Sequence, residues 1–536
     1  MKKQGLSEKA LISFILTVPL ISVLFTGLRL AGLSFAPFNL FDWISRVLPG
    51  SVITFGIDSM VKIIRFLHLG AGTAEAAKTA EHIMAVFTFL IAFIIAGIVI
   101  LSLLTYRKKN GFIPALISGL IIGSLLLLID LNLHRASLIN ELWNYAVSVA
   151  WSLILVWSQD RLKLHASRLS PEALIEKQTG GVERVDRRRF IIRLGKVSAS
   201  IVVTGAVIDL LTGKHEQSIP GSESWSAHNE LPVTGTDVEP APGTRPEYTP
   251  VGKHYRIDIN ATPPIIHEES WRLKISGLVE APLELSLKQI KSYDQVNQFI
   301  TLACISNPVG GDLIGTTRWT GASLQQVLPD LRLKPSAAWL KISSSDGFFE
   351  TVSIDQVRND KRIMLAYDWD GMPLTTEHGF PLRIYIPDRY GMKQPKWIES
   401  IEAMDEWEAG YWVTRGWDRE AIMKATSVID TIAADYAFTD ADGKKMIPVG
   451  GIAHAGARGI SKVEVKVDYG EWQGTSLRAP LSDLTWVIWR FDLPFLEGRH
   501  TLTVRCFDGA GTPQIVTPAS PHPSGASGLY TKKIKG

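Results

Sequence analysis

Long apolar segments fill most of the first 212 residues and predict helices that cross a membrane. A helix needs about 20 mostly apolar residues to span a bilayer. Four segments reach this length and a weaker fifth follows: 9–29, 83–105, 111–130, 137–157 and 190–212. The stretch 51–68 differs because Asp58, Lys62, Arg65 and His68 interrupt it. Charge at bilayer depth is costly, so we expect 51–68 to be an amphipathic helix at the membrane interface.

Basic residues between these segments predict which side of the membrane each loop occupies. Cytoplasmic loops carry an excess of lysine and arginine. The basic loop 107–109, the stretch 161–189 and the N-terminal Lys2 and Lys3 are all cytoplasmic if 51–68 does not cross. The last span then runs outward, so everything after about residue 215 is expected outside the cytoplasm. We therefore expect a multi-pass protein of the cell membrane, with the lipid bilayer as a partner.

A second signal lies at residues 186–192, where Asp-Arg-Arg-Arg-Phe-Ile-Ile precedes the weakest span. This segment resembles a twin-arginine export signal placed inside the chain, over 186–212. That route carries folded proteins, which suits a domain that takes up its cofactor before crossing. The alternative is a basic cluster that flanks an ordinary span.

The remainder of the chain divides into a linker and two regions of different pattern. Residues 213–250 are rich in Pro, Gly, Ser and acidic residues, which is linker composition. From 251 to 423, strand-like segments alternate with turns and short helices, which predicts an α+β domain. From 424 to 536, apolar and polar residues alternate with period two, which predicts a β-sandwich.

Composition and charge narrow the function classes. The chain has 536 residues, of which 20% are charged, below the roughly 25% that is usual for soluble domains. Its net charge is +3 and it has no lysine- or arginine-rich block, so we expect no nucleic-acid partner. Two cysteines, Cys304 and Cys506, are too few for a disulfide scaffold, an iron–sulfur cluster, a four-cysteine zinc site or a CxxCH haem attachment.

Cys304 is the main candidate for chemistry. The apolar run 299–307 delivers it to a turn that contains Gly310 and Gly311. A thiolate at the end of a strand can be a nucleophile, a ligand for a soft metal, or half of a disulfide with Cys506. The residues around Cys304 do not choose among these, although no Cys–His protease signature surrounds it. Cys506 lies on an alternating strand and is predicted to be a core residue.

Three blocks of sequence between residues 301 and 493 resemble the sulfite oxidase family of molybdopterin enzymes. They are 301–328, 365–407, and 450–472 together with 486–493, in the order that the family has them. The resemblance implies a multidomain fold: an N-terminal α-helical transmembrane bundle, an α+β molybdopterin domain and a C-terminal immunoglobulin-like β-sandwich. It also implies a Mo-molybdopterin cofactor, with Cys304 as the protein thiolate on molybdenum.

The resemblance carries over further cofactor-binding positions. A pyranopterin with a terminal phosphate needs cations and backbone N–H groups for its charge, and hydrogen-bonding side chains for its ring edges. The matching positions are Tyr255, Arg256, Asp346, His378, Arg383, Lys393, Gln394, Pro395 and Lys396. The alternative is that these are solvated surface charges and turn residues.

The reaction that the resemblance implies is two-electron oxygen-atom transfer on a small molecule, and Arg458 matches a substrate-facing arginine of the family. Sulfite oxidases also place arginines directly after the cysteine, in a C-x-G-N-R-R pattern. This chain has Asn307 followed by Pro308, so Arg318 is the candidate replacement. The family's active-site tyrosine is replaced near residues 348–349. These departures disfavour sulfite itself as the substrate and leave the metal site intact.

We expect electrons to pass to or from another component, because the sequence shows no cytochrome b5-like domain and no CxxCH motif. We expect an external carrier, either a cytochrome or a quinone-linked protein. Haem in the membrane half would need axial histidines, and the candidates His68, His82 and His134 lie near membrane interfaces, so a plain anchor is favoured.

Two alternative functions and one question of assembly remain open at this point. One is reduction of an S-oxide or N-oxide with membrane electrons, which the β-sandwich disfavours. Another is a non-catalytic, membrane-tethered binding module with the same fold. The third concerns assembly, since the family's sandwich domains often mediate a homodimer.

Overall fold

The computed structural model describes residues 5–49, 52, 59, 73–107, 111–133, 135–167, 190–204, 225–232 and 238–535. Most of the predicted interfacial helix 51–68, the arginines of the export-like segment, His68 and His134 lie outside the described residues. Contacts divide the chain into two compact units. The first comprises Met1–Met60, Lys78–Ser218 and Asn260–Thr262, and the second Val61–Ala77, Ile219–Ile259 and Pro263–Gly536.

The first unit is helical. Its helices are α1 (Leu6–Ala31), α2 (Ala36–Val47), α3 (Thr73–Arg107), α4 (Phe112–Asn132), α5 (Leu138–Ser167) and α6 (190–204). Among the described residues, three stretches are long and apolar enough to cross a membrane: Leu6–Ala31, Lys78–Leu104 and Phe112–Asn132. The predictions for 9–29, 83–105 and 111–130 are confirmed to that extent. The segment 137–157 is also helical, but α5 carries more polar residues than the other three.

Leucine and aromatic side chains fill the interior of this unit. Leu24, Phe89 and Leu155 are fully buried, whereas Ile91 and Ile121 point outward and are more than half exposed. An exterior of exposed isoleucine and leucine is typical of helices that face lipid. Helices α4 and α5 approach closely at Gly119, where an added Cβ would lie 2.5 Å from the Cα of Val149. Small residues permit such close packing of membrane helices.

The second unit begins with one mixed sheet and one antiparallel sheet. Its first ten strands are β1 (Leu273–Gly277), β2 (Leu283–Leu285), β3 (Gln295–Ala303), β4 (Ile314–Ser323), β5 (Trp339–Ser344), β6 (Phe349–Ser353), β7 (Met364–Trp369), β8 (Met372–Pro373), β9 (Arg383–Tyr385) and β10 (Ile398–Met404). One sheet has the order β2-β1-β10-β5-β6, and the other has β3-β4-β7-β8 with β9 paired to β7. Only the β1–β10 pairing is parallel among these strands. One apolar core joins residues of both sheets, including Leu273, Ile342 and Leu365.

The C-terminal part of this unit is built from strands alone, apart from short turns. Its strands are β11 (Thr426–Ile432), β12 (Phe438–Thr439), β13 (Lys445–His454), β14 (Ile460–Val467), β15 (Gln473–Gly474), β16 (Ser476–Leu477), β17 (Val487–Pro494), β18 (Arg499–Asp508) and β19 (Tyr530–Lys535). They form two sheets, β11-β13-β17-β16 with β12 on β13, and β15-β14-β18-β19. Trp489 of one sheet and Cys506 of the other lie fully buried in a shared core.

Part of the predicted linker packs against the rest of the second unit. Within 213–250, residues 225–228 form a helical turn, and Ala241 and Tyr248 are buried. The hydroxyl of Thr317 donates to Tyr248 Oη at 2.9 Å. An isolated tyrosine in a proline-rich stretch finds a pocket on the folded domain, which composition alone does not reveal.

Candidate functional site

Cys304 follows directly after β3, at the start of the loop that joins β3 to β4. Its backbone N–H donates to Leu313 O at 2.9 Å, and its carbonyl accepts from Asn307 N at 3.1 Å. The side-chain oxygen of Asn307 accepts from Leu313 N at 3.0 Å and closes the loop. Gly310 has φ +83°, and a Cβ there would lie 2.2 Å from the ring of Tyr530. The glycine-containing turn therefore fixes the place at which β3 presents Cys304.

The Cys304 thiol is buried and free. Cys304 and Cys506 form no disulfide, which excludes the pairing that the sequence left open. The hydroxyl of Ser306 lies 3.0 Å from Cys304 Sγ. Burial raises the pKa of the Cys304 thiol, and hydrogen bonds with Ser306 lower it in part. A buried thiol of this kind is protonated on its own and becomes a thiolate when a metal replaces the proton.

Arg383 lies at the centre of the neighbouring polar residues. Its Nη1 donates to His378 O at 3.0 Å, and its guanidinium stands over the rings of Trp319 and Trp369 at 4.6 and 4.9 Å. Burial lowers the pKa of Arg383 to about 9. The aromatic faces compensate part of the lost hydration of this cation, but its Nε has no hydrogen-bond partner in the described part of the chain.

Two buried histidines adjoin Arg383. The rings of His254 and His378 have centroids 5.7 Å apart. Burial, with the nearby charge of Arg383, lowers the pKa of His254 to about 4. Burial and the positive neighbours also hold the pKa of His378 well below its ordinary value. Both imidazoles are therefore neutral, and each can donate one hydrogen bond and accept another.

Lys396 and Arg256 share a single carboxylate. Lys396 Nζ lies 3.1 Å from Asp258 Oδ2, and Arg256 Nε lies 2.8 Å from the same oxygen. Burial lowers the pKa of Lys396 to about 8, against the opposing effect of Asp258. Arg256, Arg383 and Lys396 lie close enough to influence one another, and we call them the cationic cluster. In this largely buried region, Asp258 is the carboxylate that opposes their charge. Such an excess of buried positive charge calls for an anion.

The other predicted cofactor residues occupy different surroundings. Lys393 is buried and forms an ion pair with Glu350. Gln394 donates to Arg389 O at 2.9 Å, and Pro395 O accepts from Ile384 N at 3.1 Å. Asp346 is buried and its Oδ1 accepts from Phe348 N at 3.0 Å.

Two further residues of this region are Tyr255, which was predicted to contact the cofactor, and Glu350, which was not. Burial and the charge of Cys304 raise the pKa of Tyr255, which places the phenol near the thiol. Glu350 was not predicted as a site residue. Its only sequence signal is a charged side chain on the alternating strand β6, and its pairing with Lys393 depends on a contact 43 residues away in sequence.

The two arginines predicted to be catalytic are engaged elsewhere. Arg458 contacts Asp388, donates to Asp508 Oδ2 at 3.3 Å and donates to Met423 O at 2.6 Å. Its side chain is 31% exposed. Arg318 stands over the ring of Trp225 at 4.9 Å.

Strand register also separates Arg318 from Cys304. Ala303 pairs with Ile314, and Arg318 lies four residues further along β4, or about 13 Å at the rise of a strand. The structure therefore does not bring Arg318 to the thiol.

The residues of this region suit a molybdopterin. The phosphate and pterin of that cofactor need cations and hydrogen-bonding atoms that are withdrawn from water. Arg383 Nε, His254 Nε2 and Gln394 Oε1 are buried and have no partner among the described residues. A thiol, an excess of positive charge and unsatisfied donors and acceptors are the features that such a group would use.

Comparison with known proteins also indicates a molybdopterin-binding domain. A family model described as "Oxidoreductase molybdopterin binding domain" matches residues 260–412. The sulfite oxidase of Arabidopsis thaliana is 25% identical over 270 residues, which cover 42% of this chain and 68% of that protein. The uncharacterized oxidoreductase YuiH of Bacillus subtilis is 28% identical over 147 residues, which cover 27% of this chain and 72% of that protein.

A solved structure, the sulfane dehydrogenase SoxCD from Paracoccus pantotrophus, aligns with a TM-score of 0.48 and 19% identity, over 60% of this chain and 93% of that chain. The region matched by the family model contains Cys304, His378, Arg383 and Lys396. The chain therefore carries an oxidoreductase molybdopterin-binding domain and is a molybdenum-dependent oxidoreductase that is similar to sulfite oxidases.

Proposed function

We propose that this oxidoreductase is anchored in the cell membrane and transfers an oxygen atom to a small, sulfur-containing anion outside the cytoplasm. The observation that carries this proposal is the buried Cys304 thiol at the end of β3, which has Tyr255 as a neighbour in common with Arg383 of the cationic cluster. Three helices of sufficient length and apolarity support the anchor. The basic segments 107–109 and 161–189 support a cytoplasmic side opposite to the catalytic one.

Within this proposal the protein holds the cofactor at two ends. Cys304 would bind the metal, and Arg383, Lys396 and Arg256 would bind the phosphate and pterin, with His378, Tyr255, Asp346 and the loop 393–396 beside them. The neutral imidazole of His378 suits a hydrogen bond to a pterin ring edge. When bound, the cofactor supplies the two-electron oxygen-transfer chemistry. The protein holds the thiolate and excludes water from the buried cations.

Arg458 is the proposed contact for an anionic substrate. It lines a cavity of about 490 Å³ together with Lys424, Asp418 and Asp508. Because Asp388 and Asp508 already engage its guanidinium, we propose that Arg458 offers an anion only its exposed edge. This weaker contact, with the Asn307-Pro308 sequence in place of an arginine pair, favours a substrate other than sulfite.

The remaining parts of the proposal concern assembly and electrons. We propose that 251–423 is the catalytic domain and that 424–536 is an immunoglobulin-like sandwich that mediates a homodimer, supported by the two sheets that share a core. Electrons would pass to an external cytochrome or quinone-linked carrier. His82 stacks on Phe38 at 4.6 Å and its Nε2 lies 3.1 Å from Ala261 O. A ring engaged in this way supports an anchor without haem.

Metal analysis of the purified full chain tests the proposal. We expect about one molybdenum per chain, lost in Cys304→Ser and retained in the matched control Cys506→Ser, because Cys304 shares the neighbour Tyr255 with Arg383 whereas Cys506 lies in the core of the C-terminal sheets. Turnover would then be followed in both directions, as cytochrome reduction with sulfur anions and as reduced-dye oxidation with S-oxides. A folded, metal-free wild type would establish a binding module instead, and turnover with S-oxides alone would establish the reductase.

A further inference from the structure

Helix α5 of the first unit carries a buried polar face along most of its length. The residues of this polar face are Glu141, Asn144, Ser148, Ser152 and Gln159. Their spacings of three, four, four and seven residues place them on one side of an α-helix. Each is at most 9% exposed. From the first to the last, the face covers about 27 Å at the rise of a helix, close to the roughly 30 Å thickness of a bilayer core.

Several polar atoms on this face have no hydrogen-bond partner among the described residues. They are Oδ1 of Asn144 and the hydroxyls of Ser148 and Ser152. Hydroxyls on α1 behave differently, since Ser13 and Thr17 donate to the carbonyls four residues earlier at 2.8 and 2.7 Å. Unsatisfied polar atoms are costly when they are buried. A face made only to hold helices together would pair these atoms across the helix contacts, so the polar face of α5 indicates water or mobile protons.

A pair of carboxyl groups occupies one end of the polar face. Asp130 of α4 lies beside Glu141, close enough for the two side chains to interact directly. Asn144 Nδ2 donates to Asp130 Oδ2 at 3.1 Å, and Asn39 Nδ2 donates to Asp130 Oδ1 at 2.8 Å. The nearest arginine, Arg135, is paired with Asp42 at 2.7 Å. Two adjacent carboxyls without a cation of their own share a proton more readily than they carry two negative charges.

The end of the polar face at Gln159 is also polar, but apolar side chains separate it from the end that carries Glu141. Gln159 Nε2 donates to Leu101 O at 3.3 Å, and Lys9 Nζ donates to the Ser102 hydroxyl at 3.0 Å. Between Ser152 and Gln159, a distance of about 10 Å along the helix, the same side of α5 presents Leu155, which is fully buried. Val156, which is 3% exposed, lies beside Leu155 on this side, so these two residues form the apolar barrier, with Leu155 nearer to its centre.

We propose that the polar face of α5 is a proton path through the membrane unit, with the Asp130–Glu141 pair as its proton-holding site and Leu155 as its closed step. Hydroxyl and amide groups can pass a proton through intervening water because each both donates and accepts. Ionisable groups inside membrane proteins commonly serve proton relays. The inference rests on the proposed membrane span but not on the molybdenum chemistry.

Proton flux into liposomes that contain the full chain tests the path. A pH-sensitive dye inside the vesicles reports uptake driven by a valinomycin-induced potassium potential. Leu155→Ser should raise the flux about tenfold or more above wild type. Adding Glu141→Gln or Asp130→Asn to Leu155→Ser should return the flux to the wild-type rate. Ile154→Ser is the matched control, because Ile154 is exposed on another side of the same helix, and it should leave the flux unchanged.

The proposal is overturned if Leu155→Ser conducts no faster than wild type, or if its flux persists in the Glu141→Gln double variant. Infrared spectroscopy supplies a second measurement, which does not depend on the engineered opening. Wild type should show the C=O stretch of a protonated carboxyl at neutral pH, lost in Asp130→Asn and Glu141→Gln; its absence from wild type would also overturn the proposal. Resistance to alkaline extraction tests membrane insertion separately, and molybdenum content tests the proposed enzyme separately.

Discussion

At the scale of single residues, the cationic cluster links cofactor binding to protein stability. Arg383, Lys396 and Arg256 lie close together with Asp258 as their main counter-charge. Burial first, and then the charges of Arg256 and Arg383, disfavour the charged form of Lys396 and lower its pKa to about 8. A bound anion adds a negative charge that favours the protonated lysine and raises its pKa again. The cofactor-free protein should therefore show a titration that the loaded protein lacks.

This reasoning predicts how the stability of cofactor-free protein depends on pH. Between pH 8 and pH 10.5, Lys396 is neutral in the folded state and protonated in the unfolded state. The unfolded state then binds more protons, so the free energy of unfolding rises with pH across this window, on the order of 1 kcal/mol per pH unit. The thermal midpoint, followed by tryptophan fluorescence, should rise accordingly. Lys396→Met should remove the rise between pH 8 and pH 9, below the range in which Arg383, with its pKa of about 9, adds a rise of its own. An equal pH slope in wild type and variant over that interval would contradict the assignment.

Single residues also show where reasoning from sequence reaches its limit. Cys304 was predictable because an apolar run, a polar turn and a family block coincide within ten residues. The partners of Lys393 and Arg458 were not, because Glu350 and Asp388 come from distant positions in the chain and meet these cations only after folding. A charged residue read from sequence therefore predicts a charge in the region, but not which group that charge contacts.

At the scale of elements, the loop between β3 and β4 determines where the thiol lies. Gly310 has φ +83°, and an added Cβ would also lie 2.2 Å from the ring of Tyr530. Gly511 has the same φ of +83° with nothing within 4 Å of an added Cβ. The two glycines share the same backbone strain and differ in steric contact.

Alanine at these two glycines separates the strain from the contact. Gly511→Ala should lower the free energy of unfolding by about 1 kcal/mol, because its positive φ strains a side chain. Gly310→Ala should cost on the order of 1 kcal/mol more, because Tyr530 must move, and it should lower the molybdenum content by shifting the Cys304 loop. Denaturant unfolding and metal analysis of both variants check this. Equal loss in both variants, with full metal content, would show that the loop does not position Cys304.

Elements were predictable where their pattern is local and periodic. Alternation over 462–472, 485–493 and 499–511 corresponds to β14, β17 and β18, and apolar length corresponds to α1 and α3. The burial of Tyr248 within the predicted linker could not be read from the sequence, because its contact with Thr317 is distant in the chain and no period marks such a residue. The polar face of α5 is periodic as well, but its residues lie within a segment whose average composition is apolar.

At the scale of the whole molecule, the positive-inside pattern predicts the sidedness of the two halves. Tyr469 in the C-terminal part is fully exposed, whereas the natural cysteines Cys304 and Cys506 are buried and should give little background labelling. In cells whose membrane is intact and from which any layer outside that membrane has been removed, a membrane-impermeant maleimide should label Tyr469→Cys. Lys109→Cys, in the basic loop between two predicted spans, should be labelled only after the membrane is opened. The reverse labelling pattern would place the molybdenum site in the cytoplasm. It would contradict both the proposed export of the catalytic domain and the interpretation of 186–212 as an export signal.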